Sequence, residues 1–275
     1  MRRTAHRPMR PEGPILPAAP AASDPKARAQ AARAWVAALN ARYRHHSATA
    51  VLRAALRGGV AGNVAMVSSF GAESVALLHL VAVADPTTPV LFIDTHLLFP
   101  ETLTYQQEIA RRLGLRDVRV IAASQHRLTA GDRYGALRFS DPDACCALRK
   151  SEPLETALAG FDGWITGRKR YQSAGRAQLE FFEYEAATNR IKVNPLVHWR
   201  PEDVTAYIEE NRLPRHPLVS KGYPSIGCMP CTSPVGDTED PRAGRWRGTE
   251  KDECGIHVAN GQTSRTAAID AKDRP

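Results

Sequence analysis

Residues 64–84 read "VAMVSSFGAESVALLHLVAVA". Val64 to Val67 is a short continuous apolar run, the pattern of a strand buried on both faces. The last part is an Ala/Leu/Val helix, and a small polar turn joins the two. The same alternation continues outward. "TPVLFID" is a second apolar run bounded by Pro and Asp, "ETLTYQQEIARRLGL" is a helix ending near Gly114, "RDVRVIAA" is a third strand and "DGWITG" a fourth. Strands that alternate with helices of this length predict an α/β fold: one domain over 26–231, with a mostly parallel twisted sheet and helices on both faces.

Upstream, "KARAQAARAWVAALNARY" and "SATAVLRAALRG" carry helical periodicity. Downstream, "LEFFEYE" and "RIKVNPL" form a hairpin turning at "ATN", and "RPEDVTAYIEENRL" is a helix with Pro201 in its first turn and acids near its N-terminus. From Pro214 the chain is rich in Pro, Gly and charge and has no strong period. A stretch that long without regular structure is functional or disordered. We expect a mobile functional segment over 232–260 and a free tail over 261–275.

The turn "SSFGAES" places backbone N–H groups and a helix N-terminus toward one point, a geometry that binds anions, phosphate above all. Ser68, Ser69 and Ser74 add hydroxyls, and Gly71 allows close backbone approach. A plain βα turn with a Ser cap and Glu73 in the first helical turn is the competing reading, and this stretch alone does not decide between them. A Walker A loop is excluded, because no Gly-Lys-Ser/Thr follows.

The 275 residues carry a net charge of +8 and are 43% hydrophobic. That composition suits a globular protein, and there is no apolar run of transmembrane length. The charge fits either a nucleic-acid backbone or a small, highly charged anion. The cations are dispersed, and several fall inside motifs, which favours the anion. Residues 1–25 are basic and rich in Pro and Ala. They lack the apolar core of a secretory signal, and their prolines would break a transit-peptide helix, so the expectation is a disordered tail on a cytoplasmic protein.

Five cysteines, at 145, 146, 228, 231 and 254, fit a disulfide framework poorly. "GCMPCT" spaces Cys228 and Cys231 for a common metal centre. A catalytic dithiol would open a helix in a βαβ unit, whereas this pair sits in a Pro-Gly loop. Zinc would need two more thiolates, and the adjacent Cys145 and Cys146 are cramped around one tetrahedral ion. A [4Fe–4S] cluster gives each thiolate its own iron and is the favoured reading, against inert buried thiols. Cys254, in the polar "KDECGIHV", is either a surface thiol without a role or a nucleophile, with His257 as a neighbouring acid–base group.

The turn resembles the PP-loop of the adenine-nucleotide alpha-hydrolase-like enzymes, Ser-Gly-Gly-x-Asp-Ser, with Phe70 for the first Gly and Glu73 for the Asp. Those departures count against ATP cleavage and match the variant of the sulfonucleotide reductases. "SSFGAES", "FIDTHLLFPET", "CCALRKSEPL", "WITGRKRYQSAGR", "GCMPCT" and "ECGIH" together resemble, in order, the iron–sulfur-containing assimilatory adenylyl-sulfate (APS) reductases of the PAPS/APS reductase family.

The resemblance implies a thioredoxin-dependent reduction of APS to sulfite and AMP through an S-sulfonate on Cys254, in sulfate assimilation toward cysteine. It implies one [4Fe–4S] cluster on Cys145, Cys146, Cys228 and Cys231 that carries no electrons. Substrate would meet Ser68, Ser69, Phe70, Gly71, Glu73 and Ser74 in the turn, Asp94 in "FIDTHLLFPET", and Lys150. On the nucleotide side stand Arg168, Lys169, Arg170 and Gln172, with Arg176 less firmly assigned, and Arg242 and Arg245 take the sulfate. Lys150, four residues past Cys146, is expected on the same helix, between cluster and sulfate. The expected reductant is thioredoxin or glutaredoxin in trans, and no nucleic acid or membrane partner is expected, although the chain is a possible homo-oligomer. The rivals are a PAPS or dual-specificity reductase and, more remotely, an RNA-modifying PP-loop protein.

Overall fold

Six short strands, β1 (Val64–Ser68), β2 (Val90–Ile93), β3 (Val118–Ile121), β4 (Gly163–Ile165), β5 (Phe182–Glu185) and β6 (Arg190–Val193), form one sheet in the order β3-β2-β1-β4-β6-β5. All neighbours are parallel except the β5–β6 hairpin. The computed structural model describes residues 24–248, 253 and 255–257. The tails expected at 1–25 and 261–275 lie outside the described residues, apart from Asp24 and Pro25, as do Cys254 and the side chain of His257.

The period-two rule explains why the strands read as unbroken apolar runs. Val64 and Met66 of β1 and Val90 and Phe92 of β2 face one core. Ala65, Val67, Leu91 and Ile93 face a second core on the opposite side. A strand covered on both faces has no polar side, so alternation disappears. Helices α1 (Pro25–Tyr43), α2 (Ala48–Leu56), α3 (Ser74–Ala84) and α4 (Pro100–Arg112) contribute to the first core. Asp24 and Ser47 cap α1 and α2 through their side-chain oxygens.

The second face is built by a broken run of helices: α5 (Gln125–Gly131), α6 (Leu137–Ser140), α7 (Pro142–Cys146) and α8 (Glu152–Ala157). Leu154 and Leu158, with Ile256 from the end of the chain, pack on Ala65, Leu91 and Trp164. Helix α9 (Pro201–Glu210) returns to the first face through Val204 and Ile208. From Pro214 onward only single 3-10 turns occur among the described residues. That irregular chain folds back across the C-terminal ends of the strands.

Two local expectations change. No side chain caps α3: Glu73 occupies the N-cap position and Ser74 is the first helical residue. Cys146 and Lys150 do not share one regular α-helix either, because α7 passes through a π-helical turn, Ala147–Ser151, into α8. Pro153 supplies the reason. It lacks the N–H that would bond the carbonyl of residue 149 and its ring crowds that carbonyl, so the preceding turn widens.

Candidate active site

The sheet order reverses between β1 and β4, the place where open α/β sheets bind ligands. A cavity of about 220 Å³ opens there. The turn after β1 forms its floor with Ser68, Ser69, Gly71, Glu73 and Ser74. The segment after β4 adds Thr166, Arg168, Lys169, Gln172 and Arg176, and Lys150 enters from the π-helical turn. Arg242, Arg245 and Trp246 close one side, and Glu253 and Ile256 reach it from the end of the chain.

The floor follows from its backbone. Ser68 Oγ accepts the Phe70 N–H at 3.1 Å, which spends that hydroxyl on shaping the turn. Phe70 holds a left-handed φ of 47°. The ring of Phe70 is fully buried edge-on to Phe92, 5.3 Å between centroids, so its side chain belongs to the core rather than the cavity. No side chain caps α3; Ser74 N donates to Gly71 O at 3.1 Å and Ala76 N to Glu73 O at 3.4 Å, and the positive end of the helix dipole still faces an anion at this turn.

Glu73 is a hub. Its carboxylate accepts from Lys169 Nζ at 2.8 Å, Tyr171 Oη at 2.6 Å and Gln172 Nε2 at 3.1 Å. Burial raises its pKa, but Lys169 and the three donors outweigh that and hold the carboxyl below its usual range. Burial also draws the Lys169 ammonium below its usual value, and Glu73 opposes the change. Three donors converging on one carboxylate favour its ionised form. The Glu that replaces the loop's usual Asp therefore anchors the segment after β4.

Arg168 is buried, paired with Glu183 and bonded to Asn194 Oδ1 at 3.2 Å. Arg242 is pulled below its ordinary value by burial first and then by the charges of Arg176 and Arg245. The planes of Arg242 and Arg245 face the Trp246 ring at 5.8 and 4.5 Å. Cations crowded this way form a site for a multiply charged anion.

Besides Phe70, two more of the expected residues stand elsewhere. Arg170 turns outward to Leu179 O at 2.7 Å and Glu180 at 3.0 Å. Asp94 accepts the His96 N–H at 2.8 Å and shapes the loop after β2. Neither lines the cavity.

Cys145, Cys146 and Cys228 are buried and Cys231 is half-buried. Burial pushes the Cys145 thiol up, Arg149 opposes, and Cys228 and Cys231 push in the same direction as burial. The two pairs therefore lie close enough to feel each other's charge. Thr95 Oγ1 stands 3.2 Å from Cys228 Sγ. The chain at 228–231 is tied down by Met229 N to Leu97 O at 2.8 Å and Trp246 N to Cys231 O at 3.1 Å. Among the described residues no group of three or more His, Cys, Asp or Glu side chains is placed to hold a single metal ion.

Several participants lack an obvious mark in the sequence. Thr95 sits just past β2, and Arg149 is buried against Asp132 at 2.9 Å and Thr95 O at 3.1 Å. Glu253 forms an ion pair with Arg176. Thr95 and Glu253 fall within quoted motifs, but nothing in their residue type separates them from ordinary polar neighbours.

Comparison with known proteins agrees with this geometry. The phosphoadenosine phosphosulfate reductase domain matches residues 63–234. An adenosine 5'-phosphosulfate reductase of Chelativorans sp. (strain BNC1) is 47% identical, over 80% of this chain and 89% of its own. One from Mesorhizobium japonicum is 44% identical, over 86% and 92%. A phosphoadenosine 5'-phosphosulfate reductase of Gloeobacter violaceus is 41% identical, over 70% and 81%. Among solved structures, phosphoadenylyl-sulfate reductase from Candida auris, in a phosphate complex, superposes with a TM-score of 0.62 at 28% identity, covering 73% of this chain and 96% of that one. The chain belongs to the phosphoadenosine phosphosulfate reductase family.

Proposed function

We propose that this chain reduces adenosine 5'-phosphosulfate to sulfite and AMP, with Cys254 as the nucleophile and a dithiol protein, thioredoxin or glutaredoxin, as the reductant in the cytoplasm. The observation that carries the reading is the cationic cavity at the β1/β4 switch point, which the residues flanking position 254 also line. Two relatives of the same name, each matched along most of its length, support it. No helix among the described residues is long and apolar enough to cross a membrane.

The chemistry follows from the groups present. The adenylate phosphate rests on the uncapped end of α3 and the 68–74 turn, and Lys150, Arg242 and Arg245 meet the sulfate. The Cys254 thiolate attacks the sulfate sulfur, the sulfur–oxygen bond to the phosphate breaks, and AMP leaves with that electron pair. Cations beside the bridging oxygen stabilise the charge as it moves onto AMP. The reductant's thiolate then attacks Cys254 Sγ. Sulfite leaves with the sulfur–sulfur pair, and the reductant's second thiol closes its disulfide and frees Cys254.

Cys145, Cys146, Cys228 and Cys231 fit a [4Fe–4S] cluster. A cluster gives each thiolate its own iron, so no shared point of coordination is needed; Cys145 feels the charge of Cys228 and Cys231, and Thr95 stands beside Cys228 Sγ. When bound, the cluster would supply a charged cross-link between the Cys145–Cys146 and Cys228–Cys231 segments. The residues themselves hold Lys150 and Trp246 toward the cavity.

The test is sulfite release from APS with thioredoxin, run beside the 3'-phosphorylated substrate. Wild-type protein should turn over APS and, without reductant, gain one SO₃ unit on Cys254; Cys254→Ser should do neither. Turnover confined to the 3'-phosphorylated compound would replace the substrate assignment, and salt-dependent RNA binding without sulfite release would remove the reading altogether.

A further inference from the structure

Glu253 precedes Cys254 in the chain, and it is held. Arg176 Nε and Nη2 donate to its two carboxylate oxygens, each at 2.6 Å, with the side chains 9% and 17% exposed. A two-pronged, largely dry pair of this kind fixes orientation as well as distance. Arg176 Nη1 in turn donates to Gln172 Oε1, and Gln172 Nε2 donates to Glu73 at 3.1 Å. One chain of hydrogen bonds thus runs from the N-cap of α3 to the residue beside the nucleophile.

The residues that follow are seated as well. Ile256 packs on the second core beside Leu154 and Trp164, and a side chain added at Gly255 would meet Cys146 and Ser151 at 3.5 Å. Glu253, Gly255 and Ile256 are therefore seated against the body of the protein beside the cavity. Among the described residues, the Glu253 carboxylate on Arg176 is a polar tether of this stretch.

We propose that Glu253 is a positioning residue: its ion pair with Arg176 docks the nucleophile segment over the cavity, and Gln172 and Glu73 set Arg176 for that task. Arg176 then acts on the reaction through Glu253 and not as a separate substrate ligand. The proposal rests on Cys254 as the nucleophile.

The two half-reactions separate this role from a merely structural one. In single turnover with APS and no reductant, Glu253→Gln should form the Cys254 S-sulfonate about 10- to 100-fold more slowly, as expected for a misplaced nucleophile. Its affinity for AMP should stay within about twofold of wild type. Thioredoxin should attack the preformed S-sulfonate at least as fast as in wild type. Arg176→Gln should slow the first step to the same degree, and the double variant should be no slower than Arg176→Gln alone. Wild-type S-sulfonate formation in Glu253→Gln, or losses that multiply in the double variant, would overturn the latch while leaving the nucleophile intact. A wild-type protein that forms no S-sulfonate would overturn both.

Discussion

Glu73 shows how one side chain can change the use of a loop. A carboxylate at the N-cap of α3 ties down the segment that carries Arg168 and Lys169, and the neighbouring Phe70 commits the turn to the core. Lys169 is buried, so removing its partner leaves a desolvated ammonium. Glu73→Gln should lower unfolding free energy by about 1–3 kcal/mol in urea titrations at pH 7. The pH dependence has a definite sign. The folded carboxyl sits below its ordinary value, so the unfolded chain binds the proton first and the contribution fades as pH falls below about 4.3. The gap between wild type and Glu73→Gln should therefore be full at pH 7 and close toward pH 3. At this scale the sequence marked the position of Glu73 but not its ties to Lys169, Tyr171 and Gln172. Its residue type announces a charge, while the partner is set by a segment almost a hundred residues later.

The elements that place the site are joined by few contacts, and these can be broken singly. His216 links α4 to the irregular chain: Leu218 N donates to Nδ1 at 3.2 Å, which leaves Nε2 to donate to Thr102 Oγ1 at 3.1 Å. Burial holds its pKa down to about 4. An unfolded imidazole takes up its proton near pH 6.5 and the folded one does not, so stability should drop by about 2–3 kcal/mol as pH falls from 6.5 toward 4. His216→Gln should flatten that limb of a urea-unfolding pH series. Gly244 holds the chain at 232–245 together. A Cβ there would stand 2.1 Å from Ser233 O, the residue whose N–H bonds Gly244 O at 2.8 Å. Gly244→Ala should part these two segments, withdraw Arg242 and Arg245, and raise KM for APS about tenfold, with the sheet's circular dichroism unchanged. The strands and helices were legible in the sequence because two-sided burial and helical periodicity write themselves into composition. The π-helical turn at Ala147–Ser151 was not, since Pro153 fits the first turn of a new helix just as well.

In the whole molecule, a parallel sheet brings strand ends together, and a chain without regular structure crosses them to finish the site. That division explains what could be read beforehand. Motif order gave the cavity's contributors, but Arg170 and Asp94 belong to the same motifs and face elsewhere, because a motif fixes order along the chain and not direction. It also locates the weakest point. The 214–248 stretch has little core of its own, and its backbone is held to the sheet by ties such as Met229 N to Leu97 O. If Cys145 and Cys146 share a cluster with Cys228 and Cys231, metal binding is a large part of that stretch's folding energy. Cys228→Ser, purified without oxygen, should then lose its iron, from about four per chain to near none. Activity should collapse with the iron, and protease cuts should appear within 214–248. Amides of β1, β2 and β4 should exchange as slowly as before, since their two cores do not include the cysteines. Full iron in the variant would remove Cys228 from the ligand set. Uniformly faster exchange across the sheet would show instead that the cluster stabilises the whole fold and not the crossing segment.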